Sequence, residues 1–173
     1  MHKPAPNPFN PLPLLSSRAR RLDHIAIAVR DLEEAIAFYR DTLGMELRER
    51  RSIFGKSTGM ISAEFSSGDF SIVLVQGTER HSQVSRFIEK FGPGVQHVAI
   101  EVDSVADTMN ELRARGIEFE TNLIEGPGLT QVFAKRDANS GVMFEFIERT
   151  DNYGFNEDSI RSLFEQLERS ETC

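Results

Sequence analysis

The amino-acid sequence predicts an α+β fold in which two β-α-β-β-β modules pair into one open, curved sheet, a half-barrel, followed by a C-terminal helix. An internal repeat relates the two halves of the chain. In each copy, three strand-like segments follow the first strand and helix. After the second copy comes an amphipathic segment with Ile160, Leu163, Phe164 and Leu167 on one face. These three observations define the predicted fold class.

The predicted organisation is one domain between two terminal segments. Its modules, residues 21–78 and 94–150, are joined by a linking helix at residues 79–92, where apolar residues recur at helical spacing. Residues 1–20, which contain five prolines, are predicted to form a flexible arm. Residues 151–173 are predicted to form the closing helix. A chain of 173 residues is long enough to bury a substantial core in such a domain.

The repeat begins with a strand and a helix. The segment "DHIAIAVRDLEEAIAFYRDTLGMEL" aligns with "QHVAIEVDSVADTMNELRARGIEFE", so that His24 corresponds to His97. β-Branched residues alternate with the histidine and its small neighbours in both strands. We therefore expect the β-branched face to pack under the helix and the histidine to lie on the other face. Asp31 and Ser104 have the residue type and position of helix N-caps.

Three further strands are predicted in each module. In the first module they are "LRERRSIF", "GMISAEFSS" and "FSIVLVQG", and in the second "IEFETNLI", "LTQVFAKRD" and "VMFEFIER". Turn-forming sequences such as "SSGD", "EGPG" and "ANSG" separate them. The last strands of the two modules also align, and this alignment places Glu145 opposite Val73.

The overall composition restricts the partners and the compartment. A net charge of −7 disfavours nucleic acids and anionic membranes, since both are usually bound by a basic surface. The chain contains no apolar run of membrane-spanning length. Its one cysteine, Cys173, cannot form an intrachain disulfide. A cytoplasmic location is therefore predicted, because thiols stay reduced in that compartment.

Two histidines and one glutamate suggest a metal site. His24 and His97 occupy equivalent strands, and Glu145 lies between two phenylalanines in an apolar strand. A buried carboxylate is costly unless it is paired or binds a metal. If the modules pair about a pseudo-two-fold axis, all three side chains can converge. Two histidines and a carboxylate form the facial triad typical of non-haem Fe(II) oxygenases, although manganese, cobalt and zinc also accept these ligands.

These segments resemble the vicinal oxygen chelate superfamily, which includes glyoxalase I, methylmalonyl-CoA epimerase, extradiol dioxygenases and drug-resistance binding proteins. "LDHIAIAVRDLEEAIAFYRDTLGM" carries this resemblance, which covers about residues 21–150. A narrower resemblance is to the catalytic half of 4-hydroxyphenylpyruvate dioxygenase. It rests on "SQVSRFIEKFGPGVQHVAIEV", "LTQVFAKR", "MFEFIER" and "GFNEDSIRSLFEQLERSE".

The resemblance to the dioxygenase implies roles for ten residues. It makes His24, His97 and Glu145 the iron ligands. It places three polar side chains around the substrate: Gln83, Gln96 and Gln131. It makes Phe133 an aromatic wall of the substrate site, and it assigns Phe155, Ile160 and Phe164 to a tail that closes the site. The sequence departs from the family in three ways: the N-terminal half is missing, Ile160 replaces a phenylalanine, and the segment before "LTQVF" is shorter.

The favoured hypothesis is an Fe(II)-dependent dioxygenase that decarboxylates a small, aromatic or apolar α-keto acid with dioxygen as co-substrate. A divalent-metal-dependent epimerase, isomerase or lyase of the glyoxalase type is the first alternative. Such enzymes usually have a fourth protein ligand near the position of Val73. Because valine cannot bind a metal, this alternative is disfavoured unless Gln76 or Glu64 supplies the fourth ligand. The second alternative is a metal-free binding protein, in which the ligands are typically lost. A homodimer is also predicted, since single-module relatives are often dimers.

Overall fold

The computed structural model describes residues 14–55, 57–150 and 166. Eight strands and four helices make up this part of the chain, and α2 continues into a π-helical turn, Phe38–Thr42. The strands are β1 (Ala19–Ala28), β2 (Glu46–Phe54), β3 (Gly59–Ser67), β4 (Phe70–Gly77), β5 (Gly94–Val102), β6 (Ile124–Gly126), β7 (Leu129–Phe133) and β8 (Met143–Arg149). The helices are α1 (Leu14–Arg18), α2 (Leu32–Ala37), α3 (Gln83–Phe91) and α4 (Val105–Ala114).

The strands form one mixed sheet in the order β2-β3-β4-β1-β5-β8-β7-β6. Antiparallel pairing of β1 with β5 joins the modules, and β1–β4 and β5–β8 are the parallel pairs. Val73 lies beside Ala26 in one module, and Glu145 lies beside Ala99 in the other. The register therefore reproduces the alignment of Val73 with Glu145. The predicted half-barrel of two paired modules is confirmed.

Each first strand is covered by the helix that follows it. Ile27 and Val29 pack against the buried residues Leu32 and Ile36 of α2. In the second module, Val102 packs against α4 in a cluster of buried side chains, Val102, Val105, Met109, Val132, Ala134 and Phe146. Burial of a large apolar side chain contributes about 1.5–3 kcal/mol, so these clusters fix the helices on the sheet. The prediction that the β-branched face packs under the helix is correct.

The helix starts follow the predicted caps. The Asp31 carboxylate accepts the Glu34 N–H, and the Ser104 hydroxyl accepts the Asp107 N–H. The linking helix is shorter than the predicted range 79–92, because Ser82 caps it and its hydroxyl accepts the Ser85 N–H. None of the helices in the described part of the chain is long and apolar enough to cross a membrane.

The predicted arm at residues 1–20 differs from the structure at its C-terminal end. Residues 14–18 form α1, and β1 already begins at Ala19, which pairs with Val102 of β5. The Arg20 guanidinium donates to the Asp103 carboxylate at 2.6 Å, and Asp103 N–H donates to the Arg18 carbonyl at 3.2 Å. Residues at the end of β5 therefore provide the partners that extend β1 toward the N-terminus. Residues 1–13 lie outside the described residues.

The segment "IEFETNLI", predicted as a strand, is largely irregular. Only its last residue, Ile124, belongs to β6, and Phe119 forms an isolated bridge with Ala134. The Thr121 hydroxyl accepts the Phe133 N–H at 3.0 Å and so replaces a backbone ladder bond at this point. The predicted closing helix, with Phe155, Ile160 and Phe164, lies outside the described residues except for Gln166, whose side-chain oxygen accepts the Asn122 N–H.

Candidate metal centre

Three potential ligands converge from three neighbouring strands. His24 lies on β1, His97 on β5 and Glu145 on β8, and each histidine is paired with the alanine of the opposite strand. His24 Nε2 lies 3.2 Å from His97 Nε2 and 3.1 Å from Glu145 Oε2. His97 Nε2 lies 3.5 Å from the same carboxylate oxygen. The predicted convergence of the three side chains is therefore present in the structure.

The spacing of these atoms suits one face of a metal ion. Two donors that each lie about 2.1 Å from an ion, at right angles, are separated by about 3 Å. The three observed separations, 3.1, 3.2 and 3.5 Å, are close to that value. Among the described residues, this is the group of histidine and carboxylate side chains whose arrangement could hold a metal.

The other nitrogen of each imidazole is held by its sequence neighbour. His24 Nδ1–H donates to the Asp23 carboxylate at 2.9 Å, and His97 Nδ1–H donates to the Gln96 side-chain oxygen at 3.0 Å. In the neutral form of each ring these bonds place the lone pair on Nε2, which faces the centre. Metal-binding histidines are commonly oriented in this way. Gln96 therefore supports His97 and is not a lining residue of the cavity.

Asp23 is itself surrounded by cations. Arg149 donates to both of its oxygens, at 2.7 and 2.9 Å, and Arg21 donates to one of them at 3.1 Å. Burial alone would raise the pKa of Asp23, but the hydrogen bonds from Arg149 and His24 hold this pKa well below its ordinary value. The carboxylate beside His24 is therefore ionised across the neutral range.

The pKa values of the two histidines are shifted in opposite directions. Burial opposes the charge of His24, but the nearby carboxylates of Glu145 and Asp23 outweigh it and raise the pKa of His24 to about 9. Burial lowers the pKa of His97 well below 6.5, and the positive charges of His24 and Arg136 lower it further. The neutral His97 is ready to bind a cation, whereas His24 must first release a proton.

The burial of Glu145 is the structural feature that most favours a cation-binding role for this site. Its side chain is 1% exposed; Oε2 faces the imidazole nitrogens of His24 and His97, at 3.1 and 3.5 Å, and Oε1 has no hydrogen bond within the described part of the chain. Apolar side chains, Phe133 on β7 and Val73 and Val75 on β4, line the same cavity as Glu145. A carboxylate in such surroundings is costly without a cation. A divalent metal bound to Glu145 and the two histidines would remove that cost.

A cavity of about 60 Å³ opens beside the three ligands. Phe133 is on its wall, and its ring meets the His97 ring edge-on at 5.3 Å between centroids. Gln131 also lines the cavity, is 1% exposed, and has a side-chain nitrogen without a hydrogen-bond partner in the described residues. Gln83 is buried at the start of α3 and is not a lining residue. Phe133 and Gln131 thus line the same cavity as the three ligands, and their contact with a substrate stays a prediction.

Three polar residues near the site were missed by the sequence analysis. Asp23 and Arg149 support His24, and Arg51 lines the cavity from β2 with a side chain that is only 8% exposed. The Arg51 guanidinium pairs with Glu49 and with Glu64, the latter at 3.2 Å. The adjacency of Asp23 to His24 was a usable sequence signal. The inward orientation of Arg51 depends on the register of β2.

The comparison with family models gives a match over residues 21–146 to the Glyoxalase/Bleomycin resistance protein/Dioxygenase superfamily. The chain belongs to this superfamily. The expected resemblance to the vicinal oxygen chelate proteins is therefore confirmed.

The relatives of the chain include two kinds of enzyme. The chain is 26% identical to a 4-hydroxyphenylpyruvate dioxygenase of Legionella pneumophila, over 98% of this chain and 60% of the relative. It is 32% identical to the mitochondrial methylmalonyl-CoA epimerase of Homo sapiens, over 72% of each chain. The chain spans about half the length of several of the dioxygenases that it matches.

Two solved structures align with the chain. A 4-hydroxymandelate synthase variant from Streptomyces coelicolor aligns with a TM-score of 0.78 and 22% identity, over 91% of this chain and 57% of that one, which shows the shared fold. A methylmalonyl-CoA epimerase from Mycobacterium tuberculosis aligns with a TM-score of 0.66 and 28% identity, over 77% of this chain and 90% of that one.

Proposed function

We propose that this protein is a non-haem Fe(II)-dependent dioxygenase that acts on a small α-keto acid with an aromatic or apolar side chain. The observation that carries the proposal is the convergence of His24, His97 and Glu145, in which a buried carboxylate faces both imidazole rings. Two histidines and one carboxylate are the ligand set typical of this class of enzyme.

The position of Val73 supports an open coordination side. Val73 is the counterpart of Glu145 in the first module and also lines the cavity. A hydrocarbon side chain cannot bind a metal, so the symmetry-related fourth ligand is replaced by apolar surface. Three protein ligands leave room for a chelating substrate and for dioxygen. A metal centre with four protein ligands would leave less room for both.

Apart from the three ligands, the described residues that line the cavity include no obvious proton-transfer group. These lining residues are Arg51, Ile53, Met60, Ser62, Val73, Val75, Gln131 and Phe133. This set includes no second carboxylate, lysine, tyrosine or cysteine. An epimerase must move a proton to and from carbon with a positioned acid or base. The lining therefore favours a reaction whose chemistry depends on the metal.

The residues of the chain would hold, orient and shield the reacting groups. Bound Fe(II) would supply a chelation site and the electrons that activate dioxygen. Phe133 and Ile53 provide apolar walls for the substrate side chain and exclude water. The Gln131 side-chain nitrogen and the Arg51 guanidinium are donors at this wall, so they would bind an oxygen atom of the substrate.

The alternative is a divalent-metal-dependent epimerase, isomerase or lyase of the glyoxalase type. The 32% identity with the human epimerase, over 72% of both chains, is the observation that favours it. A metal-free binding protein is less well supported, because the chain retains all three ligand residues. The homodimer and the cytoplasmic location stay predictions, and light scattering on the intact chain would test the dimer.

Oxygen consumption tests the proposed function. The purified chain, loaded anaerobically with Fe(II), is mixed with a panel of aryl and aliphatic α-keto acids in an oxygen electrode. We expect oxygen uptake with at least one of them, and release of carbon dioxide in equal amount. Oxygen uptake with none of the panel, together with epimerisation or isomerisation of a metal-chelating substrate, would instead establish the alternative.

A substitution at Val73 tests whether oxygen consumption needs the side of the metal that has no protein ligand. Val73→Glu introduces a carboxylate at the position that mirrors Glu145. We expect this variant to bind metal but to lose oxygen uptake, because a coordination position is filled. Val73→Ala, which adds no ligand, is the matched control and is expected to keep its activity. Full activity in Val73→Glu would contradict the proposed use of this side.

A further inference from the structure

We propose that Arg149 is a positioning residue of the metal centre, which acts through Asp23 to fix the orientation of the His24 ring. This inference rests on the proposed metal-dependent function. Arg149 does not contact the three ligand atoms through any hydrogen bond described above. Its effect on the centre would be transmitted through two hydrogen-bonded steps, from Arg149 to Asp23 and from Asp23 to His24.

The Asp23 carboxylate is saturated with hydrogen bonds. Each of its oxygens accepts two hydrogen bonds: Oδ1 from His24 and Arg149, and Oδ2 from Arg149 and Arg21. An ionised carboxylate offers about four acceptor positions. All four are therefore used, and the plane of the carboxylate is fixed. Because one of the four contacts is His24 Nδ1, the ring that bears Nε2 is fixed with it.

Arg149 contacts this carboxylate more extensively than Arg21 does. Arg149 forms a two-point contact at 2.7 and 2.9 Å, and its side chain is 16% exposed. Arg21 forms one contact at 3.1 Å, is 42% exposed, and also donates to Glu101 and to the Asp69 carbonyl. Charge-assisted two-point contacts are the stronger and geometrically more specific ones. The orientation of Asp23 therefore depends mainly on Arg149.

Arg149 contacts Asp23 across the central strands of the sheet. It lies on β8, four residues after Glu145, whereas Asp23 lies on β1, and β5 separates these two strands. The contact therefore bridges the two modules across the strand that carries His97. One strand thus supplies a ligand, Glu145, and also the side chain that orients a ligand of the other module. Loss of Arg149 would loosen His24 relative to Glu145.

Cobalt binding tests the inference without any turnover. Isothermal titration calorimetry with Co²⁺ would measure the affinity of the intact wild-type chain and of Arg149→Met. We expect a loss of about 10–100-fold, the usual effect of removing a residue that orients a metal ligand. The visible absorption bands of the bound Co²⁺, which report ligand geometry, should change as well. Arg20→Met, which removes an exposed pair with Asp103, is the matched control and should change neither.

A double-mutant cycle separates a positioning role from a structural one. Asp23→Asn removes the carboxylate through which Arg149 acts, so adding Arg149→Met to it should cause little further loss of Co²⁺ affinity. Circular dichroism and thermal unfolding establish that each variant is folded. If Arg149→Met does not fold, Arg149→Lys, which keeps the charge but loses the two-point contact, replaces it and should show a smaller loss in the same cycle.

The outcomes are distinct. Equal Co²⁺ affinity in wild type and Arg149→Met, or an equal loss with and without the Asp23 carboxylate, would overturn the positioning role while leaving the metal site intact. Failure of the wild-type chain to bind Co²⁺ or any other divalent metal would overturn the proposed function, and the positioning role with it.

Discussion

The buried His24 should make the metal-free protein lose stability as the pH rises. Its pKa in the fold is raised to about 9, against an ordinary value of 6.5, mainly because the carboxylates of Glu145 and Asp23 outweigh the effect of burial. Protonated His24 therefore contributes its full stabilisation of the fold below pH 6.5, and this contribution is lost as the pH rises through 9. The shift of about 2.5 pH units corresponds to about 3 kcal/mol.

The other titrating groups of the site act outside this window. The lowered pKa of His97 makes the fold lose stability only when the pH falls below about 6.5, since the unfolded histidine then takes up a proton that the folded one does not. The lowered pKa of Asp23 acts only at strongly acidic pH. The change between pH 6.5 and 9 therefore reports His24. A bound metal should reverse the trend, because binding displaces the His24 proton and so strengthens with pH.

Urea unfolding in the presence of a chelator, at pH 6.5, 7.5 and 8.5, measures this effect. The free energy of unfolding of the metal-free chain should fall by about 1.4 kcal/mol per pH unit in the upper part of the range. Glu145→Gln is the matched variant: it removes the leading cause of the raised pKa, so its stability should vary less with pH. A metal-free chain whose stability is constant or rises over this range would refute the assigned protonation of His24.

Two further predictions concern the cavity and the core. Arg51→Met should weaken binding of an α-keto acid to the metal-loaded protein by about 10-fold or more, because a hydrogen bond to a charged group contributes about 1.5–3 kcal/mol. Arg50→Met, on the same strand but exposed and paired with Glu33, should leave affinity unchanged; equal affinities for both variants in calorimetry would exclude Arg51 from the ligand site. Phe65→Ala should lower the free energy of unfolding by about 3–5 kcal/mol in urea, since Phe65 is fully buried under α2; a loss below about 1 kcal/mol would contradict the described packing.

The sequence predicted the parts of the structure that depend on the repeat. Because the two modules pair about one pseudo-two-fold relation, equivalent positions such as His24 and His97 meet at the central strands. The alignment of Glu145 with Val73 then identified the third side chain that converges with the two histidines. The alternation of residues in the first strands was sufficient for these conclusions, because side chains in a strand point to alternate faces.

Other features depend on contacts between residues distant in the sequence, and the pattern could not predict them. In the irregular segment before β6, the Thr121 hydroxyl accepts the Phe133 N–H, a hydrogen bond that a strand would have given to a carbonyl. Arg51 reaches the cavity only because a bulge between Leu47 and Glu49 sets the register of β2. The link from Arg149 to Asp23 joins residues 126 positions apart.

An anaerobic Fe(II) titration tests the central claim, that His24, His97 and Glu145 form a metal site. Calorimetry on the intact chain should show one Fe(II) bound per chain, and His97→Ala should abolish or strongly weaken this binding. His81→Ala, an exposed histidine outside the site, is the control and should bind like the wild type. Absence of Fe(II) binding in the wild type, or unchanged binding in His97→Ala, would contradict the claim.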